Sequence, residues 1–274
     1  MGKLLLSAIY IYPIKSLGGI RLGSAAVEER GLQYDRRWML IDDAGMFLTQ
    51  RKMAEMALLR VTLQEEGLEV THLYKGLDPL FVPYETRSAN STLVTVWDDI
   101  CFAYIVSREA NRWFSEALGL SCRLVHMPDT SIRLIDPNYA RHGEKTSFSD
   151  GFPFLLAGQA SLDDLNGRLE EPVPMDRFRP NFVVSGAEPF AEDTWKTIRI
   201  GSVMFYAPKP CGRCIVTTTN QETAVQSAEP LRTLNTFRRK ENKVYFGQNL
   251  IGLSAGTVRE GDLVQVLEGK PPIL

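Results

Sequence analysis

Short runs rich in β-branched, Leu and aromatic residues dominate the pattern of hydrophobic and polar positions along the chain. Turn-forming residues bound these runs, which is typical of strands that end in turns. The pattern predicts strands over residues 4–12, 68–73, 93–97, 101–106, 123–127, 182–185, 198–206, 215–219 and 263–267. A tight hairpin turn is predicted at Asp98 and Asp99, between two of these runs.

Helical periodicity is limited to residues 109–118, 161–169 and 231–238. Many short strands with few helices predict a mainly β protein with α insertions, an α+β class of barrel-like architecture. A repeated βαβ fold and Rossmann-type binding are therefore disfavoured. The polar stretch 128–146 lacks sustained periodicity, so the chain is predicted to divide into residues 1–127 and residues 128–274.

Composition and charge narrow the class of partner. The 274 residues are 44% hydrophobic and 23% charged, which suits a globular chain with a sizeable core. The formal net charge of −2 gives no general attraction to nucleic acid or to anionic lipid, so neither is expected as a partner. No apolar run approaches the roughly 18 residues of a membrane span, and the N-terminal apolar stretch is too short for a secretion signal. A cytoplasmic protein without membrane contact is expected.

The most informative chemistry is a CxxC pair, Cys211 and Cys214, directly before the predicted strand 215–219. A thioredoxin-like dithiol needs its first Cys at a helix N-terminus, which a following strand does not provide. Zinc and iron–sulfur sites need further Cys or His at ligand spacing, which the sequence lacks. Two interpretations stay open. The pair is incidental, or one thiolate binds a soft metal whose other ligands come from a cofactor, with Arg213 helping to keep the thiol ionised.

Three predicted loops carry the side chains that an anionic or phosphate-bearing cofactor needs. The first contains Lys15 and Ser16, the second Arg36, and the third Arg179 and Asn181. Each loop also suits an ordinary surface role, such as a solvated turn residue or one partner of an ion pair. Taken singly, the loops therefore do not identify a site.

Together, seven motifs occur in the order and approximate spacing of the MOSC-domain proteins. They are YPIKSLGG, YDRRWML, SFSDGFPFLLAGQASLDDLN, RFRPNFVVSG, AEDTW, KPCGRCIVTT and FGQNLI. The chain resembles the branch with an N-terminal MOSC β-barrel domain, which includes the mitochondrial amidoxime-reducing component and the YcbX-type proteins. The resemblance covers nearly the whole chain. It implies an N-terminal MOSC β-barrel domain packed on a MOSC β-barrel domain.

The resemblance further implies an oxidoreductase that uses molybdenum-molybdopterin to reduce N-hydroxylated small molecules, such as amidoximes, hydroxylamines and N-hydroxylated base analogues. Cys214 would be the metal ligand and the catalytic residue, and Cys211 would shape the loop. The residues implied to hold the pterin and its phosphate are Lys15, Ser16, Arg36, Arg179 and Asn181, with the backbone of Gly151, Phe152, Gly212 and Arg213 along the cofactor. A dioxo form of the metal is implied, and pyridoxal phosphate is not expected.

Two departures from the family pattern change these expectations. Gly212 stands where members often have Ser, so the backbone N–H remains but a hydroxyl contact does not. The sequence stops at Leu274 without the C-terminal ferredoxin domain of the YcbX-type proteins, so electrons are expected from a separate ferredoxin, flavodoxin or flavin reductase. Glu188 and Asp193 are candidate proton donors, although each also suits a solvated surface.

Two alternatives to a reductase stay open. In the first, the protein carries molybdenum cofactor or sulfur, with Cys214 as a persulfide. In the second, it is a barrel scaffold for protein interaction whose cleft has lost its cofactor. The set of Lys15, Arg36 and Arg179 favours the enzyme, because it suits stable retention of a cofactor.

Overall fold

The computed structural model describes residues 2–86 and 90–272. Met1 and Leu274, with which the two predicted domains begin and end, lie outside the described residues. In chain order the strands are β1 (Leu5–Ile11), β2 (Ile20–Leu22), β3 (Ser24–Glu28), β4 (Gly31–Leu32), β5 (Trp38–Ile41), β6 (Leu59–Leu63), β7 (Gly67–His72), β8 (Leu80–Pro83), β9 (Ser91–Val96), β10 (Asp99–Ile105), β11 (Arg123–His126), β12 (Phe154–Gly158), β13 (Phe182–Ser185), β14 (Trp195–Ile200), β15 (Val203–Gly212), β16 (Arg239–Lys240), β17 (Lys243–Gly252), β18 (Gly256–Arg259) and β19 (Val264–Gly269). The helices are α1 (Arg108–Leu118), α2 (Gln159–Asn166) and α3 (Leu231–Phe237), with 3₁₀ turns at Ala54–Leu58, Met175–Phe178, Ala191–Thr194 and Ile215–Thr218.

The predicted class, mainly β with α insertions, is confirmed. Each of the three predicted helices overlaps an observed one, and strands occur in eight of the nine predicted strand segments. The hairpin turn lies one residue earlier than predicted, at Trp97 and Asp98, because Val96 already pairs with Asp99. Within the described residues, no helix is both long enough and apolar enough to cross a membrane.

One large sheet contains strands from both ends of the chain. Its order is β19-β14-β15-β17-β12-β13-β1-β2, with β16 on β17. Three smaller sheets have the orders β5-β11-β10-β9, β18-β3-β4 and β6-β7-β8. The first and third of these use only strands before residue 127, whereas β1 and β3 pair with strands from the second half. The boundary between residues 127 and 128 stays a prediction.

The largest apolar cluster explains why β1 belongs to the large sheet. Leu6, Ile9 and Ile11 of β1 are fully buried among residues of β12, β13 and β15. Phe154 stacks on Phe182 with ring centroids 5.6 Å apart. Burial of such side chains is worth about 1.5–3 kcal/mol each, so this cluster fixes the first strand against the second half of the chain.

Two sequence-based strand predictions are wrong, for different physical reasons. Residues 198–206 form a hairpin of β14 and β15, because Gly201 adopts φ 57° and allows a two-residue turn. Residues Ile215–Thr218 form a 3₁₀ turn. There the hydroxyls of Thr217 and Thr218 bond back to the carbonyls of Cys214 and Ile215 at 3.0 and 2.7 Å. Local hydroxyl bonds of this kind compete with strand pairing.

Candidate functional site

All ten residues predicted for the site line one cleft. The segment after β1 supplies Lys15 and Ser16, the turn between β4 and β5 supplies Arg36, and the segment before β12 supplies Gly151 and Phe152. The segment before β13 supplies Arg179 and Asn181. The end of β15 and the residues after it supply Gly212, Arg213 and Cys214. The cleft encloses about 140 Å³ and opens to solvent. The roles assigned to these residues stay predictions.

Prolines in β15 turn the chain toward this cleft. Pro208 and Pro210 cannot donate a ladder hydrogen bond, and the register with β17 shifts between Tyr206 and Lys209 and again between Pro210 and Gly212. The strand therefore ends in an irregular segment. Cys214 follows it as the residue that caps the 3₁₀ turn Ile215–Thr218.

Lys15 is anchored deep in the cleft. Its Nζ donates to the Phe148 carbonyl at 2.6 Å and to Asp150 Oδ1 at 2.7 Å. Burial lowers the pKa of Lys15 to about 8, although Asp150 opposes the shift. Lys15 and Arg51 both bind Asp150, and this pairing holds the pKa of the Asp150 carboxyl well below its usual range despite burial.

Two arginines share one aromatic ring. The guanidinium carbons of Arg36 and Arg179 each lie 4.2 Å from the ring centroid of Tyr12. Arg36 also donates to the buried Asp35 at 2.6 Å, whereas Arg179 forms no ion pair with any described carboxylate. Burial lowers the pKa of Arg179 to about 10. A half-buried cation without an ion-pair partner is a binding position for an anion.

The two cysteines have different cationic neighbours. Arg213, which was expected to help keep one thiol of the pair ionised, has its Nη1 3.0 Å from the Sγ of Cys211. Arg51 lies along the same cleft as Cys214, and their charges interact. Burial opposes ionisation of Arg51, but the charges of Asp150 and Cys214 and hydrogen bonds to both raise its pKa. Both cysteines are partly buried and unbridged.

The chain after Cys214 also changes an argument made from sequence. The expected strand was the reason to exclude a helix N-terminus beside the thiols, whereas the chain in fact enters a single 3₁₀ turn. That turn has four residues and begins at Ile215, four residues after Cys211, the first Cys of the pair.

The remaining predicted residues differ in how directly they can contact a ligand. Asn181 is buried, and its amide bonds Arg36, the Leu155 N–H and the Tyr10 carbonyl, so its side chain orients Arg36. Gly151 has open space where a β-carbon would lie, and a β-carbon at Gly212 would make only ordinary contacts. Packing therefore does not require glycine at position 212.

Left-handed backbone is concentrated at the cleft. Among the described residues, eight non-glycine residues have clearly positive φ. Three of them, Ser16, Arg36 and Arg179, line the cleft, and Trp97 contacts it through Arg51. Such conformations cost free energy and persist where the surrounding structure imposes them, often at ligand sites.

Sequence reasoning missed two charged residues of the cleft, Arg51 and Asp150. Asp150 lies inside one of the seven quoted motifs, which was a usable signal, whereas Arg51 belongs to none. Conversely, neither Glu188 nor Asp193 lines the cleft. Asp193 is buried in an ion pair with Arg238 at 2.6 Å, so it belongs to a structural network.

A larger cavity of the described structure lies elsewhere. It measures about 1430 Å³ and is lined by aromatic residues that include Tyr34, Trp38 and Tyr84, with no thiol among its described lining residues. Within residues 2–86 and 90–272, no group of three or more His, Cys, Asp or Glu side chains could hold a metal. The smaller cleft, with its thiols and cations, is therefore the better candidate site.

Comparison with known proteins identifies the family of this chain. The MOSC domain model matches residues 143–265, and the model of the MOSC N-terminal beta barrel domain matches residues 3–121. The chain is 33% identical to mitochondrial amidoxime-reducing component 1 of Mus musculus, over 94% of this chain and 81% of that protein. It is also 33% identical to the molybdenum cofactor sulfurase of Oryza sativa subsp. japonica, over 94% of this chain but only 33% of that protein. A crystal structure of the YUAD protein from Bacillus subtilis aligns over 96% of this chain and 94% of that one, with 10% identity and a TM-score of 0.42.

The protein is mainly β, and its cleft brings a thiol together with several cationic side chains. The chain belongs to the family of MOSC-domain proteins with an N-terminal MOSC β-barrel domain, the family of the amidoxime-reducing components.

Proposed function

We propose that this protein reduces N-hydroxylated compounds, holds molybdenum cofactor in the cleft and receives electrons from a separate redox protein. The observation that supports this most directly is the convergence of Cys214 with five cationic side chains along one cleft. Two relatives are named amidoxime-reducing components, one from Mus musculus and one from Homo sapiens, and this activity supports the substrate class.

The donor chemistry of the cleft suits an anionic cofactor with a soft metal. Lys15, Arg36, Arg51, Arg179 and Arg213 line it, against a single carboxylate, Asp150, among its described lining residues. Arg213 Nε is buried and has no hydrogen-bond partner in the described part of the chain. The partly buried thiol of Cys214 supplies the soft ligand that molybdenum prefers to a hydroxyl or amine.

Each group of residues has a distinct part in this proposal. Cys214 would be the protein ligand to the metal, and Arg36 and Arg179 would bind the phosphate with forked N–H donors. The other residues proposed along the cofactor are Lys15, Ser16, Asn181, Gly151, Phe152, Gly212 and Arg213. When bound, the cofactor supplies the two-electron chemistry that cleaves the N–O bond of a substrate. Asp150 keeps Lys15 and Arg51 in place beside that chemistry.

The two cysteines provide the test of this proposal. Cys214→Ser is expected to lower anaerobic reduction of benzamidoxime by at least about 100-fold, because a hydroxyl is a hard and poorly ionised ligand. Cys211→Ser is the matched control and should keep a substantial fraction of the activity, with reduced viologen as electron source for both. NADH alone should not support turnover. Equal loss in the two variants would count against Cys214 as the metal ligand.

A second candidate function is transfer of sulfur or cofactor, with a persulfide on Cys214. The observation that favours it is the similarity to molybdenum cofactor sulfurases, of which this chain spans about a third. Metal analysis of protein made in cells that synthesise the cofactor separates the two functions. A reductase should retain about one molybdenum per chain, whereas a carrier should retain little and should release sulfide from Cys214 on treatment with thiol.

A further inference from the structure

Trp97 lies at the rim of the cleft, outside the set of residues that line it. Its indole Nε1 donates to Asp150 Oδ1 at 3.3 Å, and the guanidinium carbon of Arg51 lies 4.6 Å from its ring centroid. The ring of Phe47 packs against it at 5.1 Å. Even so, 42% of Trp97 is exposed. An aromatic surface therefore stands partly open beside two cleft residues.

The backbone of Trp97 is unusual for so large a residue. Trp97 is the first central residue of the two-residue turn between β9 and β10, and its φ is 58°. Gly is the residue that adopts a positive φ without strain, as the favoured two-residue hairpin turns require at their first central position. Turn geometry alone would favour Gly at this position, and core packing does not require an exposed indole. Strained positions of this kind cluster at functional sites.

Arg51 connects this indole to the cysteine proposed as metal ligand. The same guanidinium stacks on Trp97, donates to Asp150 Oδ2 at 2.7 Å and lines the same cleft as Cys214, with whose charge it interacts. The indole and the sulfur are therefore neighbours of one guanidinium. A flat ring joined directly to a group that reacts near Cys214 would extend over the indole, whereas a methyl group in place of that ring would not.

We infer that Trp97 is a stacking surface that makes the protein selective for N-hydroxylated compounds whose reacting carbon carries an aromatic or heteroaromatic ring. This inference rests on the proposed reductase function and specifies its substrate class. Stacked aromatic pairs stabilise binding enough to change an affinity by about 3- to 10-fold. The competing explanation is that Trp97 only keeps Arg51 and the hairpin in place.

The test compares benzamidoxime with acetamidoxime, which differ by a ring against a methyl group. Trp97→Gly suits the turn and should fold, so the ratio of kcat/KM for benzamidoxime to that for acetamidoxime is expected to fall about 3- to 10-fold, mainly through KM for benzamidoxime. Trp97→Phe should restore most of the ratio. Leu93→Ala, at an exposed apolar residue on β9, is the control and should leave the ratio unchanged.

An unchanged ratio in Trp97→Gly would overturn the inference. This includes an equal fall of kcat/KM for both substrates, which a merely structural role of Trp97 predicts. Saturation-transfer NMR of each amidoxime on the purified protein separates this result from the reductase proposal. If the wild type reduces neither compound, the reductase proposal fails. In that case a benzamidoxime signal that Trp97→Gly abolishes supports the stacking surface, and a signal that it leaves intact overturns it.

Discussion

Arg179 is the residue whose burial the protein fold alone explains least. It takes the left-handed conformation at the end of a 3₁₀ turn, with φ 53°, and its guanidinium packs on Tyr12. Burial lowers its pKa to about 10, and no described carboxylate forms an ion pair with it. A cation–π contact returns about 0.5–2 kcal/mol, so the contact with Tyr12 offsets only part of the desolvation of this half-buried ion. An anion in the cleft would supply the missing compensation.

Arg179→Asn should therefore separate cofactor binding from stability. Asn tolerates the left-handed region, so the variant removes the charge without adding backbone strain. We expect molybdenum and pterin per chain to fall several-fold, while the urea midpoint stays the same or rises. Arg168→Ala, at a half-exposed residue in the turn after α2, is the control and should change neither quantity. Wild-type pterin content in Arg179→Asn would refute the phosphate-binding role.

At the residue scale, sequence reasoning found groups but not their partners. Five of the seven motifs contain the ten residues that line one cleft, because these residues lie in segments that flank strand ends. Which cation lies beside which sulfur depends on side-chain direction, and adjacency in sequence did not show which of the two sulfurs Arg213 contacts. Arg51 is 163 positions from Cys214 and has no local signal, so only the folded chain could reveal it.

At the element scale, the pairing of β5 with β11 buries a histidine. His126 lies opposite Trp38, and their ring centroids are 4.9 Å apart. Burial and the neighbouring Arg37 lower the pKa of His126 to about 4, against the opposing effect of Asp129. The unfolded chain therefore binds a proton at higher pH than the folded chain does. Stability contributed by neutral His126 is complete above pH 6.5 and is lost as the pH falls from 6.5 toward 4.

This pairing predicts a measurable pH dependence. Between pH 7 and pH 4.5 the wild type should lose about 2 kcal/mol more of its free energy of unfolding in urea than His126→Gln loses. His142→Gln, at an exposed loop residue, should behave as the wild type. Parallel curves for the wild type and His126→Gln would contradict the prediction.

Strands and helices could be predicted from the sequence where one residue pattern extended over the whole element. The runs predicted at 182–185 and 123–127 match β13 and β11 closely, because each is a short run of apolar residues that the fold buries, bounded by turn-forming residues. The segment 215–219 has the residue types of a strand, but Thr hydroxyl bonds to carbonyls three positions earlier turn it into a 3₁₀ segment. Many short strands, such as β2 and β4, were missed because two or three residues are too few to show a period.

At the scale of the whole molecule, the two predicted halves share sheets and core. β1 pairs with β13, β3 pairs with β18, and the buried side chains of β1 belong to the same cluster as Phe154 and Phe205. Polar contacts cross between the halves as well. The buried amides of Gln50 and Gln221 bond each other reciprocally at 3.1 Å. A unit that folds alone needs a core of its own, and the second half would lack part of its core without β1.

We therefore expect residues 128–274 expressed alone to be insoluble or to unfold without a cooperative urea transition. Loss of β1 exposes the edge of β13 and removes Leu6, Ile9 and Ile11 from the main cluster. Burial of each side chain contributes about 1.5–3 kcal/mol, so the summed loss is similar to the whole free energy of unfolding of a domain. Residues 1–127 alone should fail in the same way, since β3 and β1 would have no partners from the second half.

The two fragments made together in one cell should assemble into a soluble complex that retains molybdenum cofactor as the intact chain does. The reason is that the cut falls in a polar segment between β11 and β12. A sharp urea transition in the isolated second fragment would show that the boundary at residues 127 and 128 separates units that fold independently.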